Sequence, residues 1–371
     1  MTEVCVIGGG GQVAEGVSAL LAGRGHRITH YRPGFLPIPG VPRRPPRPLS
    51  RLERFAVHGE PQAAMDDGAA RYQWVSRSEV RGCEVFVFCL PSYLAEFIGF
   101  QLAPALRHKH IVNVSDRFMG TVALCRAAEL AHPGWRPASA VAFNSPPLLA
   151  YQRRRDAVTS LLYSKPFVLA APVHQAMRKD AGSVIKEIFG LDRIRWMDTT
   201  LDLAFENINS IVHAVQDLEC LRGGHFGVEG SLYDPALYTE KIVARINEVT
   251  RDRDQVASAY TRHVYRDLRT FDATTFQVPG LASPGTAGYR HGHGLLSTVP
   301  RPETFTAHGY EDVGWSMVPL ESAGRLAGVP TPALSTLIDD WNTLMNVDYR
   351  LVGRTASALG LARPIGFGDG K

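Results

Sequence analysis

The first 145 residues alternate short apolar runs with stretches of helical periodicity. A short apolar run that ends at a turn is typical of a strand buried in a parallel sheet, and helices between such strands predict βαβ units. The predicted strands are 4–7, 26–31, 82–91, 110–116 and 139–145, and the predicted helices are 14–24, about 93–107 and 119–132.

The pattern changes after residue 198. Segments 200–221, 239–268 and 331–359 have apolar positions at helical spacing, and no strands are predicted between them. We therefore predict an α/β fold followed by an all-α fold. Residues 1–198 are predicted to form a Rossmann-like, doubly wound parallel sheet, and residues 199–371 a C-terminal helical domain.

A run of glycines at residues 8–11 lies between the first predicted strand and the first predicted helix. Glycines let the backbone approach a pyrophosphate, and the helix N-terminus offers free N–H groups. The register Gly9-x-Gly11-x-x-Ala14 fits best, because alanine suits a close helix–strand contact; the other interpretation is a turn that binds no ligand. The cofactor-binding residues predicted in this turn are Gly8, Gly9, Gly10, Gly11, Gln12, Val13 and Ala14.

The end of the second predicted strand bears on which cofactor is used. An NAD site usually has Asp or Glu there to bind the ribose 2′-hydroxyl, but this chain has Tyr31 and Arg32 and no carboxylate before Glu53. Arg32 suits a 2′-phosphate, and Arg43 adds positive charge. We therefore expect NADPH rather than NADH; the other interpretation is that Arg32 only solvates a loop.

Ligands of open α/β sheets bind at the carboxyl ends of the strands, and two more strand ends carry candidate residues. Leu90, Pro91 and Ser92 follow the strand at 82–91 and are predicted to line the nicotinamide site. Arg117 follows the next strand and is predicted to contact an anionic substrate.

The helical half contains the string "ENINSIVHAV", in which Asn207, Asn209 and His213 are spaced by two and four residues. Asn209 and His213 share one helix face, one turn apart. A lone histidine on an apolar helix is more often a core residue than a catalyst, and capping is the other interpretation of the two asparagines.

Further motifs accompany this string along the helical half. Together they are Asn207-x-Asn209-x-x-x-His213, Glu311-Asp312-Val313, Val318-Pro319, Gly328-Val329-Pro330-Thr331-Pro332, Asp348-Tyr349, Gly353-Arg354-Thr355 and Leu359-Gly360-Leu361. In these motifs the chain resembles the opine dehydrogenases of octopine/nopaline type, and its Arg-ended second strand resembles the NADPH-using synthases of opine metallophores.

The resemblance implies the reductive condensation of an amine, from an amino acid or a derived intermediate, with a 2-oxo acid such as pyruvate or 2-oxoglutarate. It implies His213 as the general acid/base and Asp312 as its carboxylate partner, with Asn209 and Asn207 as substrate-binding residues. A histidine suits this chemistry because its pKa lies near neutrality. The other interpretation of Asp312 is a helix N-cap.

Three positions depart from the family pattern. Ala214 stands where a proline often follows the histidine in the family. Residues Gly314–Met317, which follow Glu311-Asp312-Val313, differ from the residues usual there. Ala307 occupies the position where an arginine commonly pairs with a substrate carboxylate. Arg301 and His308 are candidates to substitute for that arginine, although neither is in register. We therefore expect a rebuilt substrate pocket, for which a metal-chelating amine is one candidate substrate.

The string "YRHGHG" contains His291 and His293. Two histidines without a carboxylate or cysteine at ligand spacing make an incomplete metal site, so no metal is predicted. We interpret this segment as a lid in which His291 contacts a polar substrate.

Composition limits the other function classes. The formal net charge is only +4, and the densest basic stretch, 32–55, is rich in proline, so nucleic-acid binding is not expected. No run long enough to span a membrane and no signal peptide is predicted. Five cysteines without paired spacing favour reduced thiols and the cytoplasm.

The sequence is compatible with two alternative functions. One is a simple NAD(P)-dependent hydroxy-acid dehydrogenase or ketoreductase, and the other is a catalytically inactive nucleotide-binding regulatory protein. Apolar helix faces in the C-terminal half are compatible with a homodimer.

Overall fold

The chain forms two compact units in a computed structural model. The described residues up to Leu203 belong to the first unit, and those from Ala204 belong to the second. This division lies close to the boundary predicted between residues 198 and 199. The structure describes residues 1–8, 12–31, 51–52, 56–57, 60–61, 73–74, 79–153, 158–164, 167–191, 194–223, 239–263, 302–362 and 364.

The first unit contains an eight-stranded sheet and two small sheets. Its strands are β1 (Glu3–Ile7), β2 (Arg27–Tyr31), β3 (Arg51–Leu52), β4 (Ala56–Val57), β5 (Glu60–Pro61), β6 (Gln73–Trp74), β7 (Val85–Phe88), β8 (His110–Asn113), β9 (Ser139–Phe143), β10 (Leu148–Arg153), β11 (Val158–Ser164), β12 (Val168–Pro172) and β13 (Ile194–Trp196). Its helices are α1 (Gln12–Gly23), α2 (Ala95–Leu106), α3 (Gly120–Ala131) and α4 (Arg178–Phe189).

The strand order of the large sheet is β13-β12-β9-β8-β7-β1-β2-β6. The six strands from β9 to β6 are parallel and have the order of a dinucleotide-binding sheet, in which the crossovers reverse direction between β1 and β7. This confirms the predicted Rossmann-like fold. One correction is needed, because β12 pairs antiparallel with β9 and the sheet is therefore mixed.

Helices cover both faces of this sheet. Val4 and Val6 of β1 belong to one core, which also contains apolar residues of α1 and α4. Cys5 and Ile7 belong to a second core, which contains apolar residues of α2 and α3. Successive side chains of a strand point to opposite faces, so β1 is apolar throughout because both of its faces are covered.

The second unit is helical in its described part. Its helices are α5 (Thr200–Phe205, which begins in the first unit), α6 (Ile208–Gly223), α7 (Glu240–Tyr260), α8 (Pro302–Asp312), α9 (Val318–Ala327), α10 (Pro332–Met345) and α11 (Tyr349–Val352), with a π-helical turn at Val313–Met317 between α8 and α9. This confirms the predicted helical C-terminal half.

Two segments predicted as continuous helical patterns are interrupted. The segment 200–221 is divided into α5 and α6 at Glu206-Asn207. In the segment 331–359, α10 ends at Met345 and α11 begins at Tyr349. Asn346 has φ 51° and closes α10 in a left-handed conformation that asparagine tolerates better than most residues. Apolar periodicity continues across both interruptions, so periodicity alone does not detect them.

The sequence pattern did not predict the antiparallel pair β10–β11, which lies in a separate three-stranded sheet with β3. No helix in the described part of the chain is long and apolar enough to span a membrane. All five cysteines are free thiols.

Candidate active site

The glycine turn begins at a tight contact between β1 and α1. A Cβ atom on Gly8 would lie 2.8 Å from the Cβ of Ala14 and 3.2 Å from the carbonyl oxygen of Cys89. The first distance is shorter than Cβ contacts in proteins, and the second is unusually tight, so packing disfavours a side chain at Gly8. The buried Ala14 is the residue of α1 that approaches the end of the strand here.

Gly8 also lies where three strand ends meet. Its N–H donates to the carbonyl oxygen of Tyr31 at 3.1 Å, and the N–H of Cys89 donates to Ile7 at 2.9 Å. The carboxyl ends of β1, β2 and β7 are therefore adjacent at the point where the crossovers reverse. This is the position at which open α/β sheets bind dinucleotides.

Two of the predicted residues meet at the next strand ends. The Oγ of Ser92 accepts a hydrogen bond from the backbone N–H of Arg117 at 3.1 Å. The turn that carries Arg117 is held by the buried Asp116, whose Oδ1 accepts bonds from Asn113 and from the hydroxyl and N–H of Thr121. Ser92 is itself buried, so it ties two loops together in addition to any cofactor contact.

The remaining predicted cofactor residues are placed as follows. Val13 is half-buried near the start of α1, Leu90 is buried, Pro91 is half-buried, and Gln12 is the first residue of α1. Six predicted residues lie outside the described part of the chain: Gly9, Gly10, Gly11, Arg32, Arg43 and His291.

In the helical unit, the structure brings His213 and Asp312 together. The Nδ1 of His213 lies 3.1 Å from Oδ2 of Asp312, within hydrogen-bonding distance, although the two residues are 99 positions apart. The side chain of His213 is 10% exposed and that of Asp312 is 1% exposed. A carboxylate at Nδ1 fixes the ring orientation and leaves Nε2 as the nitrogen that can serve a ligand.

The backbone around Asp312 is unusual. Asp312 is the last residue of α8 and precedes the π-helical turn, but its side chain makes no capping hydrogen bond, so the N-cap interpretation is wrong. The turn packs closely: a Cβ on Gly353 would overlap the carbonyl oxygen of Gly314, and the N–H of Arg354 donates to that oxygen at 2.9 Å. Single π-helical turns inside helices occur frequently at functional sites.

Asn209 and Asn207 lie at the start of α6. Asn209 is half-buried and stands one turn before His213, and the buried Asn207 directly precedes the helix. Their roles as substrate-binding residues remain predictions.

The sequence interpretation missed a second histidine–aspartate pair in the same place. His308 and His213 stack with ring centroids 5.2 Å apart and planes 12° apart. The Nδ1 of His308 lies 3.7 Å from Oδ2 of Asp217, a carboxylate with no solvent exposure. A signal was present in the sequence, because α6 contains "HAVQD" and α8 contains "HGYED", the same His-x-x-x-Asp spacing twice.

The two pairs are crossed between the helices. Residues four apart lie on one helix face, so α6 presents His213 and Asp217 together, and α8 presents His308 and Asp312 together. His213 of α6 pairs with Asp312 of α8, and Asp217 of α6 pairs with His308 of α8. This crossed pattern is what two antiparallel helices with the same spacing produce.

Electrostatics distinguish the second pair. Burial of the His308 ring favours its neutral form, but the Asp217, Asp312 and Glu311 carboxylates outweigh burial and raise the pKa of His308. Burial raises the pKa of the Asp217 carboxyl. Both shifts favour the state in which this pair holds a proton.

An indole ring fixes the helices beside these pairs. The Nε1 of Trp341 donates to the carbonyl oxygen of Ala214 at 2.8 Å, and a Cβ on Gly309 would overlap the Trp341 ring. Ala214 follows His213 and Gly309 follows His308, so one buried tryptophan sets the backbone position of both histidines. Among the described residues, no group of three or more His, Cys, Asp or Glu side chains could hold a metal ion.

The chain is similar to known opine dehydrogenases. No protein-family model matches it. An opine dehydrogenase of Arthrobacter sp. (strain 1C) is 24% identical over 181 residues, which cover 49% of this chain and 48% of the relative. Octopine dehydrogenase with NADH and L-arginine has a TM-score of 0.69 at 17% identity, over 98% of this chain and 96% of that chain. Yersinopine dehydrogenase with NADP+ has a TM-score of 0.60 at 12% identity, over the same shares.

These similarities confirm the resemblance that the sequence motifs indicated. At such identities the solved structures establish the fold, and the match spans about half the length of the curated relative.

Proposed function

We propose that this protein catalyses the NADPH-dependent reductive condensation of a primary amine with a 2-oxo acid. The amine belongs to an amino acid or a derived intermediate, and the oxo acid is of the pyruvate or 2-oxoglutarate class. The observation that carries the proposal is the buried His213–Asp312 pair at 3.1 Å in a chain that also has a dinucleotide-binding sheet.

His213 is the acid–base group of this proposal. With Nδ1–H directed to Asp312, a neutral His213 ring has a lone pair on Nε2, which takes the proton of the attacking amine. The amine enters as an ammonium, and His213, stabilised as an imidazolium by Asp312, passes two of the nitrogen protons in turn to the former carbonyl oxygen, which leaves as water. The iminium that remains keeps the third proton, and a hydride, which a reduced nicotinamide would supply when bound, converts it to a neutral secondary amine.

Residues of both units support the choice of substrates and cofactor. Arg32 follows Tyr31 at the end of β2, where an NAD site usually has a carboxylate, and this favours NADPH over NADH. Asn209 and Asn207 are candidates for holding substrate oxygens, and Arg117 for an anionic group. Yersinopine dehydrogenase was solved with NADP+. A metal-chelating amine is a candidate substrate because Ala307 replaces the usual arginine.

The test is the oxidation of the reduced cofactor, followed by its absorbance, with purified protein. Pyruvate, 2-oxoglutarate and oxaloacetate are each offered with and without a panel of amino acids and polyamine-like amines, using NADPH and NADH in parallel. The proposal expects oxidation that needs both partners, a higher kcat/KM with NADPH, and a secondary-amine product in the mass spectrum.

Two outcomes would favour the other interpretations. Oxidation with an oxo acid alone would indicate a simple hydroxy-acid dehydrogenase or ketoreductase. Tight binding of NADPH with no turnover for any pair, unchanged by His213→Asn, would indicate a regulatory nucleotide-binding protein. A preference for NADH would contradict only the assignment of Arg32.

A further inference from the structure

The second pair, His308 and Asp217, has no role in the mechanism above. Asp217 is completely buried, and neither of its oxygens has a hydrogen-bond donor among the described residues. A carboxylate taken out of water in this way is costly unless a positive charge or a proton compensates it. In the described part of the chain its ion-pair partner is His308, at 3.7 Å.

His308 is more accessible than the other three side chains of the cluster. Its side chain is 33% exposed, compared with 10% for His213. Its Nδ1 faces Asp217, so Nε2 is the nitrogen that a ligand can reach. A molecule that contacts His213 is therefore within reach of a second ring whose centroid is 5.2 Å away.

The chemistry of a 2-oxo acid requires two different contacts on adjacent carbons. Its carbonyl oxygen must receive a proton, and its carboxylate, on the neighbouring carbon, carries a full negative charge. A charge-assisted hydrogen bond from a cation is the strongest neutral-pH contact for that carboxylate. Because Ala307 removes the guanidinium usual for the family, the cation must come from another residue.

We infer that His308, held as an imidazolium by the buried Asp217, binds the carboxylate of the 2-oxo acid beside the acid–base His213. This rests on the proposed function, because it assigns one substrate group to one residue of that site. Unlike a guanidinium, the imidazolium can lose its charge, so the affinity for the oxo acid depends on pH.

The direction of that dependence follows from the groups that face His308. Asp217 and His213 face it from α6, and Asp312 and Glu311 lie on its own helix, α8. The carboxylates raise the pKa of His308, so the ring is charged below this raised pKa and neutral above it. Oxo-acid affinity is therefore strong below that pKa and falls as the pH rises through it.

The experiment measures binding without turnover. Pyruvate, 2-oxoglutarate and the unreactive isostere oxamate are titrated by calorimetry into the protein saturated with NADP+, at several pH values from acid to alkaline. With His308→Gln we expect affinity at neutral pH to fall by about tenfold to a hundredfold, the usual range for a lost charge-assisted bond. With His308→Arg we expect affinity to persist and its pH dependence to disappear.

Two further variants separate this role from a structural one. Asp217→Asn removes the counter-charge, so the loss of affinity should shift to lower pH. His263→Gln is the matched control, because His263 also pairs with a buried carboxylate, Glu206, at 3.1 Å but is not in the stack. It should bind oxo acids as the unchanged protein does. In turnover assays His308→Gln should raise the KM for the oxo acid much more than it lowers kcat.

Each result decides one of the two proposals. Unchanged oxo-acid affinity in a folded His308→Gln or His308→Asn variant overturns the role of His308, and turnover that still depends on His213 leaves the proposed function standing. Binding that depends on His308 but no turnover with any amine overturns the proposed function and keeps the anion site. If the unchanged protein binds none of the three acids, the assignment of His308 is wrong.

Discussion

The two units bring their polar groups together in different ways. At the glycine turn of the first unit the contacts are made close to the backbone, as in the bond from Gly8 to Tyr31 and the close approach of Ala14. In the helical unit the contacts are made by side chains, and the paired His213 and Asp312 are 99 residues apart.

This difference separates two kinds of dependence. A backbone site tolerates most side-chain changes but not the addition of a Cβ at the tight position. A side-chain site tolerates changes in the surrounding loops but not the loss of one imidazole or carboxylate. Changes in the first unit should therefore alter cofactor binding, and changes in the helical unit should alter turnover. Four variants test this separation, from the largest expected effect to the smallest.

The largest effect is expected for His213→Asn. Removal of a general acid–base group lowers turnover by about a thousandfold, within the usual range for such groups. Binding of NADPH, measured by fluorescence titration, should remain within about twofold because no residue of the first unit is changed. A parallel loss of cofactor binding would show that the two units are not separable in this way.

Asp312→Asn should have the next largest effect, with turnover lowered by about a hundredfold, because an amide neither stabilises the imidazolium nor fixes its tautomer as a carboxylate does. The matched control is Asp339→Asn, which removes an exposed carboxylate from the ion pair with Arg350. Steady-state kinetics of the control should be unchanged; equal losses in both variants would argue against a specific role for Asp312.

Gly8→Ala tests the backbone site. The added Cβ would lie 2.8 Å from Ala14, and overpacking of this kind costs about 1–3 kcal/mol of unfolding free energy. Urea unfolding measures this cost, and NADPH affinity should fall with it, whereas kcat at saturating cofactor should be preserved. Gly82→Ala is the control, because the nearest atom to its new Cβ is the Glu3 carboxylate at 3.9 Å. If Gly8→Ala and Gly82→Ala have the same free energy of unfolding, the space around Gly8 accommodates a Cβ atom.

The smallest effect is the acid sensitivity of the first unit. Burial lowers the pKa of His30 to about 4 from the ordinary 6.5. The unfolded chain therefore takes up the proton first, so stability from this residue is complete above about pH 6.5 and is lost as the pH falls toward 4. Linkage gives a loss of about 1 kcal/mol at about pH 5.5.

The measurement is urea unfolding at about pH 7.5 and pH 5.5. His30→Gln should remove this part of the pH dependence, because the glutamine amide can still donate to the Ser18 hydroxyl that lies 3.0 Å from the histidine Nε2. The exposed His132→Gln should leave it unchanged. If the unfolding free energy of His30→Gln keeps the pH dependence of the unchanged protein, another titratable group causes the acid sensitivity.

Much of the first unit could be predicted from its sequence, because its elements are local. The buried strands are continuous apolar runs, and the glycine turn and the helix after it are contiguous in the chain. The antiparallel β12 and the pair β10–β11 could not be predicted, because strand direction and pairing depend on residues far away in the sequence. In the helical unit periodicity located the helices, but the interruptions at Asn207 and Asn346 were hidden within apolar patterns.

The sequence by itself determined the fold class and the glycine turn, and motif resemblance singled out His213 and Asp312 as partners. These conclusions depend on residue type and short-range spacing, which are properties of the chain. Only the tertiary structure decided that α6 and α8 pack so that two His-x-x-x-Asp segments cross and His308 stacks on His213. The spacing was visible in both segments, but which imidazole meets which carboxylate depends on helix direction and the close packing at Gly309 and Trp341.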